Sequence, residues 1–176
     1  AFENKLMLGR SSISFVPDGT LTRAEATSII VRMLGLDGTG ESTNSFNDIN
    51  GHWAEQDIEI AYENGIVNGR SSDIFAPDEP ITRQEMAVIL SNIIPGEEPS
   101  IIMVSPYSDI SAKDNGWSYK AITKLKELGV FSGYDDGTFR PEKNTTRAEM
   151  SVLIEKVSEI IENTPVYAIG DSSILN

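Results

Sequence analysis

Three arginines in this chain stand where a guanidinium would bind an anion. They are Arg23, Arg83 and Arg147, each inside a Thr-Arg-x-Glu motif: Thr22 to Glu25, Thr82 to Glu85, and Thr146 to Glu149. Thr followed three residues later by Glu is a capping box, so each motif opens a helix and the arginine takes its first position. A cation there opposes the positive end of the helix dipole, so helix stability does not select it. A helix N-terminus with free N–H groups plus a guanidinium suits a carboxylate or a phosphate. The competing reading is an ion pair with a neighbouring carboxylate, which a chain of net charge -13 supplies freely.

Other chemistry finds little support. There is no cysteine, so disulfides, thiolate metal sites and cysteine nucleophiles are excluded. The only histidine is His52. No Gly-x-Ser-x-Gly elbow, phosphate loop or His-Glu-x-x-His motif occurs, so a non-catalytic protein without cofactor or metal is expected. Asp135-Asp136-Gly137 is not a calcium loop, because the twelfth position is Thr146 instead of Glu. A tight turn is the better account. A pI near 4.4 argues against nucleic acid, whose binding needs clustered cations. No apolar run reaches the roughly 20 residues of a membrane helix, so no membrane insertion is expected. The first residues do not read as a signal peptide.

The elements that carry the arginines repeat. Phe15-Val16-Pro17-Asp18, Phe75-Ala76-Pro77-Asp78 and Phe139-Arg140-Pro141-Glu142 precede the three motifs at offsets of 60 and 64 residues. Upstream, Phe46-Asn47-Asp48-Ile49 and Trp53 match Tyr107-Ser108-Asp109-Ile110 and Trp117. Gly65 and Gly69 likewise match Gly129 and Gly133. The repeats are placed at 1–36, 46–94 and 107–163, with a tail at 164–176. The first is incomplete, since Ala1 aligns with Ala61 and no counterpart of Trp53 precedes it.

After each motif the apolar residues keep helical spacing: Ala26, Ile29, Ile30 and Met33; Met86, Ile89, Leu90 and Ile93; Met150, Leu153, Ile154 and Val157. A shorter helix carries Trp53, Ile58 and Ala61, or Trp117, Ile122 and Leu125, and ends at Gly65 or Gly129. No unit can bury its stripe alone. The fold class is therefore mainly α, with three helix-loop-helix repeats packed around a common axis.

In this order and spacing the motifs resemble the S-layer homology domain, over nearly the whole chain. The resemblance implies a pseudo-threefold helical spindle around a central helix bundle. Its grooves would bind secondary cell wall polysaccharide attached to peptidoglycan, commonly through a pyruvate ketal. It also implies a place on the bacterial cell surface, with Arg23, Arg83 and Arg147 on the ketal carboxylate. Asp48, Asp109, Trp53, Trp117, Gly69 and Gly133 are further groove candidates by the same resemblance. Each has a structural reading as well. The aspartates would cap a following turn or helix. The tryptophans, on the apolar side of a short helix, would anchor the core. The glycines would serve backbone geometry or a close approach. The alternative function is protein–protein contact or self-assembly within a surface layer.

Overall fold

The computed structural model describes residues 18–37, 45–96 and 104–164. The Phe15-Val16-Pro17 segment, most of both inter-repeat linkers and nearly all of the C-terminal tail lie outside the described residues. The described chain is helical: α1 (Arg23–Leu34), α2 (Glu55–Glu63), α3 (Arg83–Ile93), α4 (Gly116–Glu127) and α5 (Arg147–Asn163). Strand pairing among the described residues is limited to isolated bridges. Two compact units emerge. One holds the chain up to Arg83 together with Lys143–Val152, and the other holds Gln84–Glu142 and the chain from Leu153 onward.

The helices follow the sequence signals. At α1 the Thr22 hydroxyl accepts from the Glu25 N–H, and the Glu25 carboxylate accepts from the Thr22 N–H at 3.0 Å. Thr146 and Glu149 repeat both bonds at α5. The apolar stripes are buried as their spacing predicts: Ile30, Leu90 and Val157 are fully enclosed. Gly35, Gly65 and Gly129 end helices with φ of 63°, 68° and 71°, a conformation that costs glycine little.

In the first unit, extended backbone just ahead of the three motifs closes a ring. The Leu21 N–H donates to the Thr145 carbonyl, the Ile81 N–H to Leu21, and the Thr145 N–H to Ile81, at 3.0, 3.0 and 2.9 Å. Bridges Thr20–Thr146, Thr22–Pro80 and Thr82–Asn144 flank it. Each segment thus gives one bond to a neighbour and takes one from the other. Leu21 and Ile81 are completely buried there.

Thr145 holds the third equivalent position, and its hydroxyl is buried without a hydrogen-bond partner among the described residues. An unsatisfied buried hydroxyl costs about 1–3 kcal/mol. Thr145→Val keeps the branched shape and removes the hydroxyl. It is expected to stabilise the protein by about 1 kcal/mol in urea unfolding. A lowered urea midpoint would show that the hydroxyl makes a favourable contact.

Candidate functional site: the arginine collar and the exposed tryptophans

The three arginines follow directly on this ring and are buried, with 4%, 6% and 3% exposure for Arg23, Arg83 and Arg147. Their backbone N–H groups are not free. Arg23, Arg83 and Arg147 donate to the carbonyls of Glu79, Lys143 and Gly19, all at 2.9 Å. At α1 the next N–H, of Ala24, donates to Pro77, and those of Glu25 and Ala26 go to Thr22. The first turn of α1 is therefore satisfied from within the protein. The expectation of open helix N–H groups for an anion gives way to a hydrogen-bonded collar, because neighbouring loops bring their carbonyls to the helix ends.

The guanidiniums hold the collar together. Arg23 donates through Nε to the Phe75 carbonyl and through NH2 to that of Asn68, both at 2.8 Å. Its guanidinium carbon lies 4.5 Å from the centre of the Phe75 ring. Arg83 meets the Glu149 carboxylate at 3.2 Å, and Arg147 meets that of Glu25 at 3.6 Å. Glu25 and Glu149 thus serve twice: each closes its own capping box and pairs an arginine from another repeat. Lys143 also reaches Glu149, at 3.3 Å. Burial pushes the Glu149 carboxyl up, but the Thr146 N–H, the Arg83 guanidinium and Lys143 outweigh it and hold the group below its ordinary value.

Asp48 and Asp109 are clamps on the Phe-x-Pro turn. Asp48 accepts from the N–H groups of Phe75 and Ala76 at 2.9 and 2.7 Å. Asp109 accepts from Phe139 and Arg140, both at 2.7 Å. In each pair the second residue is left-handed, with φ of 60° at Ala76 and 58° at Arg140. The turn they hold lies 27 and 30 residues downstream of the clamp. A cap on the immediately following turn or helix is not what forms.

Gly69 and Gly133 admit an aromatic ring. A Cβ on Gly69 would fall 2.5 Å from the Phe46 ring and 2.3 Å from the Ser71 carbonyl oxygen. One on Gly133 would fall 2.5 Å from the Tyr107 ring. The close approach comes from the chain's own aromatic-x-Asp motif.

The tryptophans overturn the expectation of core anchors: Trp53 is 62% exposed and Trp117 is 60% exposed. Trp53 precedes α2, so the helical phase that would turn it inward does not apply to it. In the first turn of α4 the buried places go to Ser118 and Tyr119. His52 supports Trp53. Its Nδ1 accepts from the Ala54 N–H at 3.1 Å, which leaves Nε2 to donate to Asp78 at 3.2 Å. The His52 and Trp53 rings are 5.4 Å apart.

These features define a helical tandem-repeat module in which a buried arginine collar sets the frame and indoles at equivalent positions face solvent. Residues 45–87 and 106–151 match the S-layer homology domain, and the chain belongs to that family. It is 34% identical over 157 residues to Cell surface glycoprotein 1 of Acetivibrio thermocellus, with 83% of this chain and 7% of that protein covered. It is 32% identical over 156 residues to an endoglucanase of Bacillus sp. (strain KSM-635), covering 87% of this chain and 16% of that protein. It is 31% identical over 153 residues to the cellulosome-anchoring protein of Acetivibrio thermocellus, covering 82% and 33%. The chain thus spans a third or less of the length of these relatives. Family and relatives together place it at the cell surface.

Proposed function

We propose that this chain is a non-catalytic module that anchors an exported bacterial protein to the cell wall. It does so by binding secondary cell wall polysaccharide linked to peptidoglycan. The observation that carries the reading is the pair of exposed indoles, Trp53 and Trp117, at equivalent places in two repeats. Tryptophan is enriched at binding surfaces, where its large ring and its N–H can both meet a partner. The C–H face of a pyranose is such a partner, and repetition gives a polymer more than one foothold. The relatives support a portable anchor, because the same stretch covers only 7–33% of proteins with different names. One of them is named as an anchoring protein.

In this reading the arginines receive the carboxylate of a pyruvate ketal. Charge-assisted hydrogen bonds to a buried guanidinium supply local attraction, and the acidic surface beyond about 8–10 Å is screened at physiological salt.

The test is cosedimentation with purified peptidoglycan-linked polymer. Trp53→Ala and Trp117→Ala are each expected to weaken binding by about tenfold while leaving the urea midpoint nearly unchanged, since both side chains are exposed. Unchanged binding by both variants would remove the indoles from the site. No binding by the parent chain would favour the protein-interaction reading.

A further inference from the structure

The three arginine positions are alike in backbone but differ in the side chain beside them. The residue whose carbonyl takes the arginine N–H is Glu79 for Arg23, Lys143 for Arg83 and Gly19 for Arg147. These three occupy one position of the repeat, separated by the same 60- and 64-residue offsets as the motifs themselves. The Glu79 and Lys143 side chains are exposed, so their charges are free to face a ligand in solvent.

The consequence is a difference in local charge. At Arg83 this position adds a cation: Lys143 joins Arg83 on the Glu149 carboxylate. At Arg147, whose guanidinium meets Glu25, the glycine adds no charge. At Arg23 the same position adds a carboxylate, Glu79. An incoming carboxylate at Arg83 must share that guanidinium with Glu149. Lys143, exposed and 3.3 Å from the same Glu149 oxygen, supplies a second cation to both. On a chain of net charge -13 an added cation at one of three equivalent places sets that place apart.

Resting on the wall-polymer reading above, we infer that the Arg83 position is the preferred site for an anionic sugar, that Lys143 is the residue that makes it so, and that Glu79 disfavours the Arg23 position. Three repeats of one architecture are thereby graded by one variable residue. The polymer's acidic terminus enters first at Arg83, and the remaining positions take other parts of the polymer or fill only at higher concentration.

Single charges at this range, partly screened by salt, change affinity by modest factors. Lys143→Ala is expected to weaken binding at Arg83 about threefold, and Lys143→Glu about tenfold. Lys143→Ala should leave the fold intact, because the side chain is exposed and the bond to Arg83 comes from the backbone carbonyl, whereas Lys143→Glu also adds a screened repulsion from Glu149, so its urea midpoint is measured beside its binding.

The experiment is an NMR titration of the whole chain, following the Nε–Hε signals of Arg23, Arg83 and Arg147. The probe is a methyl hexoside carrying a pyruvate ketal, with its neutral methyl ester as control. The Arg83 signal is expected to reach half-shift at the lowest concentration of acid. Lys143→Glu should raise that midpoint about tenfold and leave the other two midpoints in place. Glu79→Lys should lower the Arg23 midpoint. An Arg83 midpoint indifferent to Lys143→Glu overturns the grading and leaves ketal binding intact. So does a midpoint at Arg23 or Arg147 below that of Arg83. No arginine shift with the acid at any concentration overturns both.

Discussion

Asp109→Ala is expected to lower the unfolding free energy by about 2–3 kcal/mol, since the carboxylate is exposed and only its bond to Phe139 is shielded from water. The carboxylate accepts from two successive backbone N–H groups, Phe139 and Arg140, at 2.7 Å each. Bonds to a charged group contribute roughly 1.5–3 kcal/mol apiece, and the Phe139 N–H would lose this acceptor next to a fully buried ring. The clamp also holds Arg140 at φ 58°, a conformation that costs a non-glycine residue about 1 kcal/mol or more. Without the carboxylate that strain is no longer offset by the clamp, and the Phe139 ring would lose its fixed place between Tyr107 and Phe131. Asp109→Asn retains size but replaces a two-oxygen acceptor by one oxygen and a donor, so it should recover only part of the loss. Urea unfolding of the three proteins decides the matter. A loss under about 1 kcal/mol for Asp109→Ala would mean that the turn is held by its own sequence.

Gly133→Ala should be comparably severe, at about 3 kcal/mol or more. Two costs combine at this position. The backbone has φ 75°, which an L side chain rarely adopts. The new Cβ would fall 2.5 and 2.9 Å from atoms of the Tyr107 ring, well inside contact distance. Tyr107 cannot readily withdraw, because its hydroxyl donates to the Phe131 carbonyl at 2.9 Å and its ring is buried. Tyr107→Ala in the Gly133→Ala background separates the two costs. If the ring clash dominates, the double variant should lose less than the two single variants added together. Full additivity would assign the cost to backbone conformation alone. Gly137→Ala is a useful contrast, since it shares a positive φ of 79° but has open space around the added carbon.

These variants also mark where the fold is legible in the sequence. Helices α1, α3 and α5 follow from their Thr-x-x-Glu starts and apolar stripes, which are local signals a few residues long. Gly65 and Gly129 announce helix ends for the same reason. The turn around Asp136 is equally local: Asp136 takes the Thr138 N–H and hydroxyl, and the Tyr134 N–H returns to the Thr138 carbonyl. Long-range contacts leave no such mark. Nothing near Asp48 signals a turn 27 residues away, although its recurrence with the Phe-x-Pro motif in both full repeats pairs the two. The collar is hidden for a similar reason. The threonines and arginines are visible as helix starts, but the carbonyls that consume the arginine N–H groups need all three segments assembled.

The candidate site divides along the same line. Residue types point to arginines that bind carboxylates, and the structure gives Arg83 and Arg147 carboxylates of the chain itself, Glu149 and Glu25. Helical phase would turn the tryptophans inward, yet Trp53 precedes its helix and Trp117 stands in a first turn whose inner places are occupied. Lys143 carries no sequence signal, because the position varies among Gly19, Glu79 and Lys143 while the flanking motif does not. The bond from each arginine N–H identifies that position as the arginine's neighbour, and at Arg83 the shared Glu149 carboxylate brings Lys143 toward the guanidinium.

In the anchoring we propose, the module holds the wall through an acidic sugar polymer. The most direct test is a binding isotherm of the chain on purified peptidoglycan-linked polymer, before and after mild acid removes the ketal pyruvate. The expected result is saturable binding to the intact polymer, weakened at least about tenfold on the stripped one, as loss of a charge-assisted contact requires. Equal affinity for both polymers would contradict carboxylate recognition, and absence of binding to either would contradict the anchoring role itself.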